Sequence, residues 1–408
     1  MRATSRWFLP LMAATGVTMS LTAPLEVLFV REFWHSSTYI GVFMLSAAGG
    51  VIVVDVFGTR FVPRLDARVA LVAGLCLFGV ACIGMGVTPG GILLMASRVL
   101  QGFGSGMVLG AGLQAAVRVD ATTSANSGVA SSPCPSGGRC PHLPSEDIAR
   151  SLGRFNAAFL FGGAVGSPGG LLVAGIIDGR AGYQVAFVVT GALAVVVAAA
   201  LAAALPSLAA PQGMPRPRIS LPRFDRTPGS GAALVLAMSG DFLRGGVLFT
   251  ALPLAGAARE YSTITITMAI ALMSGVEIVV LSVAYRFIRH TEVVAVLIAS
   301  FALGMLCATL LALIPSATTY LVASALFGVS LAGATASLPV MVVAQVGESS
   351  AGLAKFRISA GIGLLAGSVG CAVLEAQIGI AALFALIAIV LLGSAQLAHI
   401  VGRRMTAT

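Results

Sequence analysis

Six ionisable residues stand inside otherwise apolar runs of the chain: Glu26, Arg98, Asp241, Arg244, Glu277 and Glu375. A charge at the centre of a bilayer costs about 2.5 kcal/mol or more on insertion scales, so each of these needs a partner or a task. A carboxylate in a low-dielectric wall loads and releases protons near neutral pH, and a nearby arginine pulls it back toward its charged form. Proton exchange and ion pairing are therefore the chemistry that these residue types support. Arg244 follows Asp241 by three residues, a spacing that puts both on one helix face. They are expected to form an ion pair that is structural or orients a substrate. Glu26 has Arg31 as the nearest base on its own run and is expected to be the proton-responsive group, with Arg98 as its tuning cation. Pro24, just before Glu26, weakens a helix locally. Asp55 falls at the end of an apolar run and is expected to meet water.

Other chemistries lack their residues. The chain has no Gly-x-Ser-x-Gly nucleophile elbow and no His-Glu-x-x-His zinc motif. Its only lysine, Lys355, sits in Leu-Ala-Lys-Phe-Arg, so there is no phosphate-binding Walker A loop. Gly102-Phe-Gly104-Ser-Gly106 lies within an apolar run and follows no strand, which excludes a nucleotide loop. Cys134 and Cys140, with His142 nearby, have five residues between them in a polar stretch. The usual zinc spacing is two to four, and the stretch is read as a plain flexible loop. Neither a metal nor a cofactor is expected, and the chain is not expected to be an enzyme.

The elements that would hold these charges are set by composition. Hydrophobic residues make up 58% of the 408 residues and charged residues only 10%, against roughly 25% charged in a soluble protein. A water-soluble surface cannot be built from so few charges. The reading is an all-α polytopic membrane protein. Twelve runs reach the roughly 20 residues that a crossing requires, at approximately 7–30, 39–58, 68–88, 91–117, 151–177, 184–205, 231–256, 264–286, 293–314, 319–346, 357–377 and 379–401. The first is too long for a signal-peptide core and is read as a retained span.

Orientation follows from the basic residues. With the N-terminus inside, inside segments hold 19 of the 24, and outside loops hold only Arg31, Arg180 and Arg259. Both termini are thus expected in the cytoplasm, with the chain in the plasma membrane. The net charge of +9 is scattered between spans rather than clustered, so nucleic acid is not an expected partner. Residues 118–150, rich in Ser, Gly, Pro and Ala, are expected to be flexible. Residues 206–230 form a basic, proline-rich linker between an N-terminal half (1–205) and a C-terminal half (231–408), each of six helices. The halves read as a repeat. Ser-Arg98-Val-Leu-Gln101-Gly102 corresponds to Ala-Ser324-Ala-Leu-Phe-Gly328, with Arg98 facing Ser324, and Gly163-Ala-Val-Gly166 corresponds to Gly367-Ser-Val-Gly370. The two offsets differ by about 22 residues, which makes part of 118–150 an insertion. Two parallel six-helix halves about a midplane site are a transporter architecture.

Arg98-Val-Leu-Gln101-Gly102-Phe-Gly104 resembles the R-x-x-Q-G-x-G signature of the major facilitator superfamily. In the fifth span, Gly153, Gly162, Gly166, Pro168 and Gly170 resemble the motif of that family's drug/proton antiporters, with Ser167 where the family has its proline. The stretch Gly58 to Arg68 keeps the leading glycine and the basic residues of a third signature, but has Val62 in place of an aspartate and Leu65 in place of a glycine. The resemblance implies a secondary transporter in which spans one, four, seven and ten line a cavity, with Glu277 and Glu375 off it. It leans toward proton-coupled export of small amphiphilic molecules. Proton-coupled nutrient uptake is the alternative, and a non-transporting membrane sensor is the alternative of another class. The implied partners are a small-molecule substrate, protons and the lipid bilayer, with the chain acting as a monomer. Glycines at 162, 166 and 170 share one helix face, which lets helices approach closely in lipid; in a rocking transporter that face would be a sliding contact between halves.

Overall fold

A computed structural model of the chain describes residues 2–34, 36–61, 65–88, 90–126, 145–177, 179–208, 230–288, 293–346 and 350–406. The described residues are helical throughout, with short connections. Ten stretches are long and apolar enough to cross a bilayer, and Thr38–Val54 is a shorter apolar helix. The last of the ten, Ile358–Arg403, has 46 residues. Its helix, Ser350–Thr406, is interrupted at Gly379, where φ is 78° and ψ is 168°, a backbone region that glycine enters without steric cost.

The helices are α1 (Arg2–Ser20), α2 (Leu25–Arg31), α3 (Ser37–Phe61), α4 (Ala67–Val87), α5 (Ile92–Asn126), α6 (Ser145–Ala174), α7 (Arg180–Ala204) and α8 (Ser230–Phe242). A π-helical segment (Leu243–Ala251) joins α8 to α9 (Leu252–Ala258), and α10 (Thr263–Ile288), α11 (Val293–Leu313), α12 (Ala317–Val346) and α13 (Ser350–Thr406) complete the chain. Helix α5 runs past the expected span end, because Leu113–Asn126 contains neither Gly nor Pro. Ser145-Glu146-Asp147 opens α6 with acids in the first turn, a helix-start signature. Both helices thus extend into the 118–150 stretch expected to be flexible. Cys134, Cys140 and His142, and residues 209–229 of the linker, lie outside the described residues.

The chain packs as two compact units. One comprises Met1–Met19, Gly49–Gly163 and Phe187–Ile219; the other comprises Ser20–Ala48, Ala164–Ala186 and Ser220–Thr408. The second unit thus takes in the adjoining ends of spans one and two and of spans five and six, together with the spans of the C-terminal half. In the first unit α4 lies against α5. Their closeness comes from Gly104, where a Cβ would meet the backbone of Phe78 and Gly74. Phe78, Phe155 and Phe187 fill its interior. In the second unit α10 packs on α12, α11 on α12 and α13, and α8 with the π segment on α13, around Phe301, Tyr320, Phe327 and Phe384. Hydroxyls in the spans bond back to carbonyls four residues earlier, as at Thr15, Thr18, Ser239, Thr267 and Ser324. That arrangement hides polar groups from an apolar surround.

Candidate functional site

Span seven is the least regular element. The chain is α-helical to Phe242, then runs through nine π-helical residues, in which the N–H of Leu252 donates to the carbonyl of Val247 five residues earlier. The carbonyl of Gly245 accepts from Thr250 Oγ1 (2.9 Å) and from Ser368 Oγ of α13 (3.2 Å). π-Helical segments are rare and concentrate at functional sites.

This segment carries Arg244. Its guanidinium donates to both carboxylate oxygens of Glu277 on α10, at 2.5 and 3.5 Å, and to Thr335 Oγ1 on α12 at 3.3 Å. Glu277 is buried and the Arg244 side chain nearly so. The expected partner, Asp241, lies near enough to feel both charges, yet among the described residues no hydrogen bond reaches it. The π-helical segment begins at Leu243, between Asp241 and Arg244. The ion pair anticipated within span seven is instead made across helices, by a glutamate placed off the cavity on the strength of the resemblance. Its signal in the sequence is simple: the apolar stretches Gly231–Ala258 and Thr263–Val283 together hold two acids and one base.

Span one is also interrupted. The helix stops at Ser20 and restarts at Leu25, with Pro24 as the residue before α2. Glu26 is buried and accepts from Thr22 Oγ1 at 3.3 Å. Helix α2 packs against α9 and the π segment, so Glu26 and the Arg244 cluster belong to one unit. Further along α2, Arg31 pairs with buried Glu375 of α13 at 3.5 Å. Around it Phe29, Phe33, Trp34, Tyr39 and Tyr183 form a chain of ring contacts, and Arg180 lies 4.0 Å above the Phe33 ring.

In the other unit Arg98 is buried and donates to Gln101 Oε1 on the same helix, while Gln101 Nε2 points to Cys82 Sγ at 3.7 Å. Gly102 is buried, and its backbone lies where a Cβ on Gly50 would fall. The corresponding Gly328 stands against the carbonyl of Met273 in span eight. Of the fifth-span glycines, a Cβ on Gly162 would collide with the carbonyl of Ala13, and one on Gly170 with that of Leu21, both in span one. Gly166 and Ser167 are buried and Pro168 lies inside the helix. Asp55 has no described side chain.

No family model and no curated protein matches the chain. Solved structures do. The human organic anion transporter MFSD10 is 14% identical, with 97% of this chain and 99% of that one covered and a TM-score of 0.65. The nucleoside transporter NupG is 12% identical, with 98% of each chain covered and a TM-score of 0.70. A bacterial homologue of the human lysosomal transporter Spinster, inward-facing and occupied, is 12% identical over 97% of this chain and 95% of that one, with a TM-score of 0.67. The chain therefore shares the helical fold of these solved structures.

Proposed function

We propose that the chain is a secondary active transporter that exports a small amphiphilic molecule in exchange for protons. The observation that carries this reading is the Asp241–Arg244–Glu277 cluster. Three ionisable side chains, two from a π-distorted span and one from α10, gather inside a bundle that has the fold of solved transporters, and intramembrane charges that are held at a cost mark substrate and proton paths. Discontinuous helices at such sites are a device of secondary transporters, and spans one and seven both have one. Taking Gly379 as the turn between two crossings and Thr38–Val54 as the core of another gives twelve crossings, with both termini in the cytoplasm of a plasma membrane. Glu26 serves as the proton-responsive carboxylate and Arg98 as a cation of the transport path. The fifth-span glycines supply the close contact with span one on which the helices shift. The substrates named for the similar structures, organic anions and nucleosides, differ from one another, so the substrate here is read from the site.

The test is expression in a bacterial host stripped of its own exporters, with accumulation and susceptibility measured across a panel of amphiphilic compounds. Lowered accumulation that depends on the proton gradient is expected. Raised accumulation means uptake symport, and no change for any compound removes the transport reading.

A further inference from the structure

We propose that Glu277 sets the charge preference of the transported molecule. By holding Arg244 it leaves Asp241 as the seat of a monovalent organic cation. The proposal rests on the transport reading above and concerns the same cluster.

The argument is a count of charges. When all three groups are ionised, Asp241 and Glu277 carry two negative charges and Arg244 one positive charge. Arg244 is committed, since a carboxylate from α10 and a hydroxyl from α12 fix its guanidinium from two other helices. Glu277 is equally committed, being 4% exposed in its side chain and bound through both oxygens. Asp241 is half-buried, and no hydrogen bond from a described residue reaches it. The odd charge of the cluster therefore falls on Asp241. In a low-dielectric setting an odd charge must be matched by a mobile cation, either a proton or a positively charged substrate. One carboxylate that accepts either of them, but not both together, couples the two movements.

Glu277 decides this without touching the substrate. Without it, the nearest carboxylate to Arg244 is Asp241, one turn earlier on the same span, and an arginine three residues from an aspartate can close onto it. The cluster would then be neutral and Asp241 occupied. Glu277 is thus a positioning residue whose removal changes the sign that the site selects, rather than only its strength.

The experiment uses the purified full chain in detergent and three probes of similar size: tetraphenylphosphonium (positive), triphenylphosphine oxide (neutral) and tetraphenylborate (negative). Binding is measured in excess over protein-free micelles. The wild type is expected to bind the phosphonium about tenfold more tightly than the borate, a difference of about 1.4 kcal/mol. Glu277→Asp keeps that ratio. Asp241→Asn, which leaves the Arg244–Glu277 pair intact, and Glu277→Gln each bring it close to one. The double variant carries a net positive charge and reverses it. A purely structural role for Glu277 weakens all three probes alike and leaves the ratio unchanged, and that outcome overturns the proposal. So does an Asp241→Asn variant that keeps the wild-type ratio, or a wild type that binds none of the probes. Failure here with proton-dependent accumulation intact removes this inference alone; loss of accumulation in the export assay removes the transport reading.

Discussion

Arg98 is buried and Arg244 nearly so, both on apolar helices, but the contacts seen at each differ in kind. Arg98 stands on an uninterrupted helix and is held by Gln101, three residues on. Arg244 stands on a π-distorted segment and is held from two other helices, by Glu277 and Thr335. The Arg98–Gln101 contact lies within one helix, so that contact survives any movement of α5 as a rigid rod. The second ties three helices at one point, so its geometry depends on how they pack. The repeat does not relate them, because Arg98 corresponds to Ser324 in the second half. The contacts of Arg244 are therefore ones that a change in the packing of spans seven, eight and ten would alter.

That difference predicts unequal costs. Arg244→Ala leaves Glu277 buried without its cation, and breaking a buried pair in this way costs about 3–5 kcal/mol. The variant is expected to lose most of its folded yield in the membrane and all transport, measured by thermal unfolding in detergent and by accumulation in cells. Arg98→Ala removes hydrogen bonding to a charged group, a loss of about 1.5–3 kcal/mol. It should reach the membrane while transport falls at least about tenfold. Arg98→Lys keeps the charge but loses the planar fork of donors and should also be impaired. Equal destabilisation by the two alanine variants would erase the distinction between local and cross-helix anchoring.

Glycine contacts sharpen the same comparison at smaller scale. Gly162 and Gly110 both lie in apolar helices, yet only Gly162 faces a backbone carbonyl where its side chain would go, whereas nothing lies within 4 Å of a Cβ on Gly110. Gly162→Ala is expected to cost about 1–3 kcal/mol through forced separation of spans one and five. Gly110→Ala should be neutral or stabilising, since alanine favours the helix. Matching unfolding midpoints for the two variants would mean that the approach of the two spans is not held by that contact.

The spans were legible because crossing a bilayer demands long apolar runs, and the basic residues punctuate them. Three features were hidden for physical reasons. Arg31 and Glu375 are 344 residues apart, and no spacing rule links residues that only packing brings together. Glu277 pairs with Arg244 across two helices, whereas helical arithmetic at 3.6 residues per turn assigns that arginine to Asp241. The π segment itself left a trace. Thr22-Ala23-Pro24 in span one and Thr250-Ala251-Leu252-Pro253 in span seven differ by one residue before the proline, and a π turn is what a helix makes of one extra residue. The 118–150 stretch was misjudged at its edges, because small residues without Gly or Pro continue a helix as readily as they form a loop.

The smallest expected effect lies outside the spans, at Asp66. It caps α4, accepting from the backbone N–H of Arg68 at 2.8 Å, and it also accepts from Ser207 Oγ and from the N–H of Leu208 at 2.9 Å. The carbonyl of Leu208 in turn accepts from the N–H of Ala67 at 3.1 Å and from Arg118 at 2.6 Å. The chain leaving span six is thereby stitched to the start of span three. Burial works against the charge on Asp66, but hydrogen bonds from Ser207, Leu208, Arg68 and Val69 outweigh it and hold the carboxyl below its ordinary value of 3.8. A carboxyl held down in the folded state contributes stability that is full above its unfolded value and is lost as pH falls through the lower folded value. Asp66→Ala should cost about 1 kcal/mol at neutral pH, the usual worth of an N-cap, and Asp66→Asn less, since asparagine caps equally well. The unfolding midpoint of the wild type should therefore drop more steeply than that of Asp66→Asn as pH is lowered below 3.8, and the two curves should converge in acid. Parallel curves would show that the carboxylate charge contributes nothing to the tie and that its capping geometry alone holds the junction.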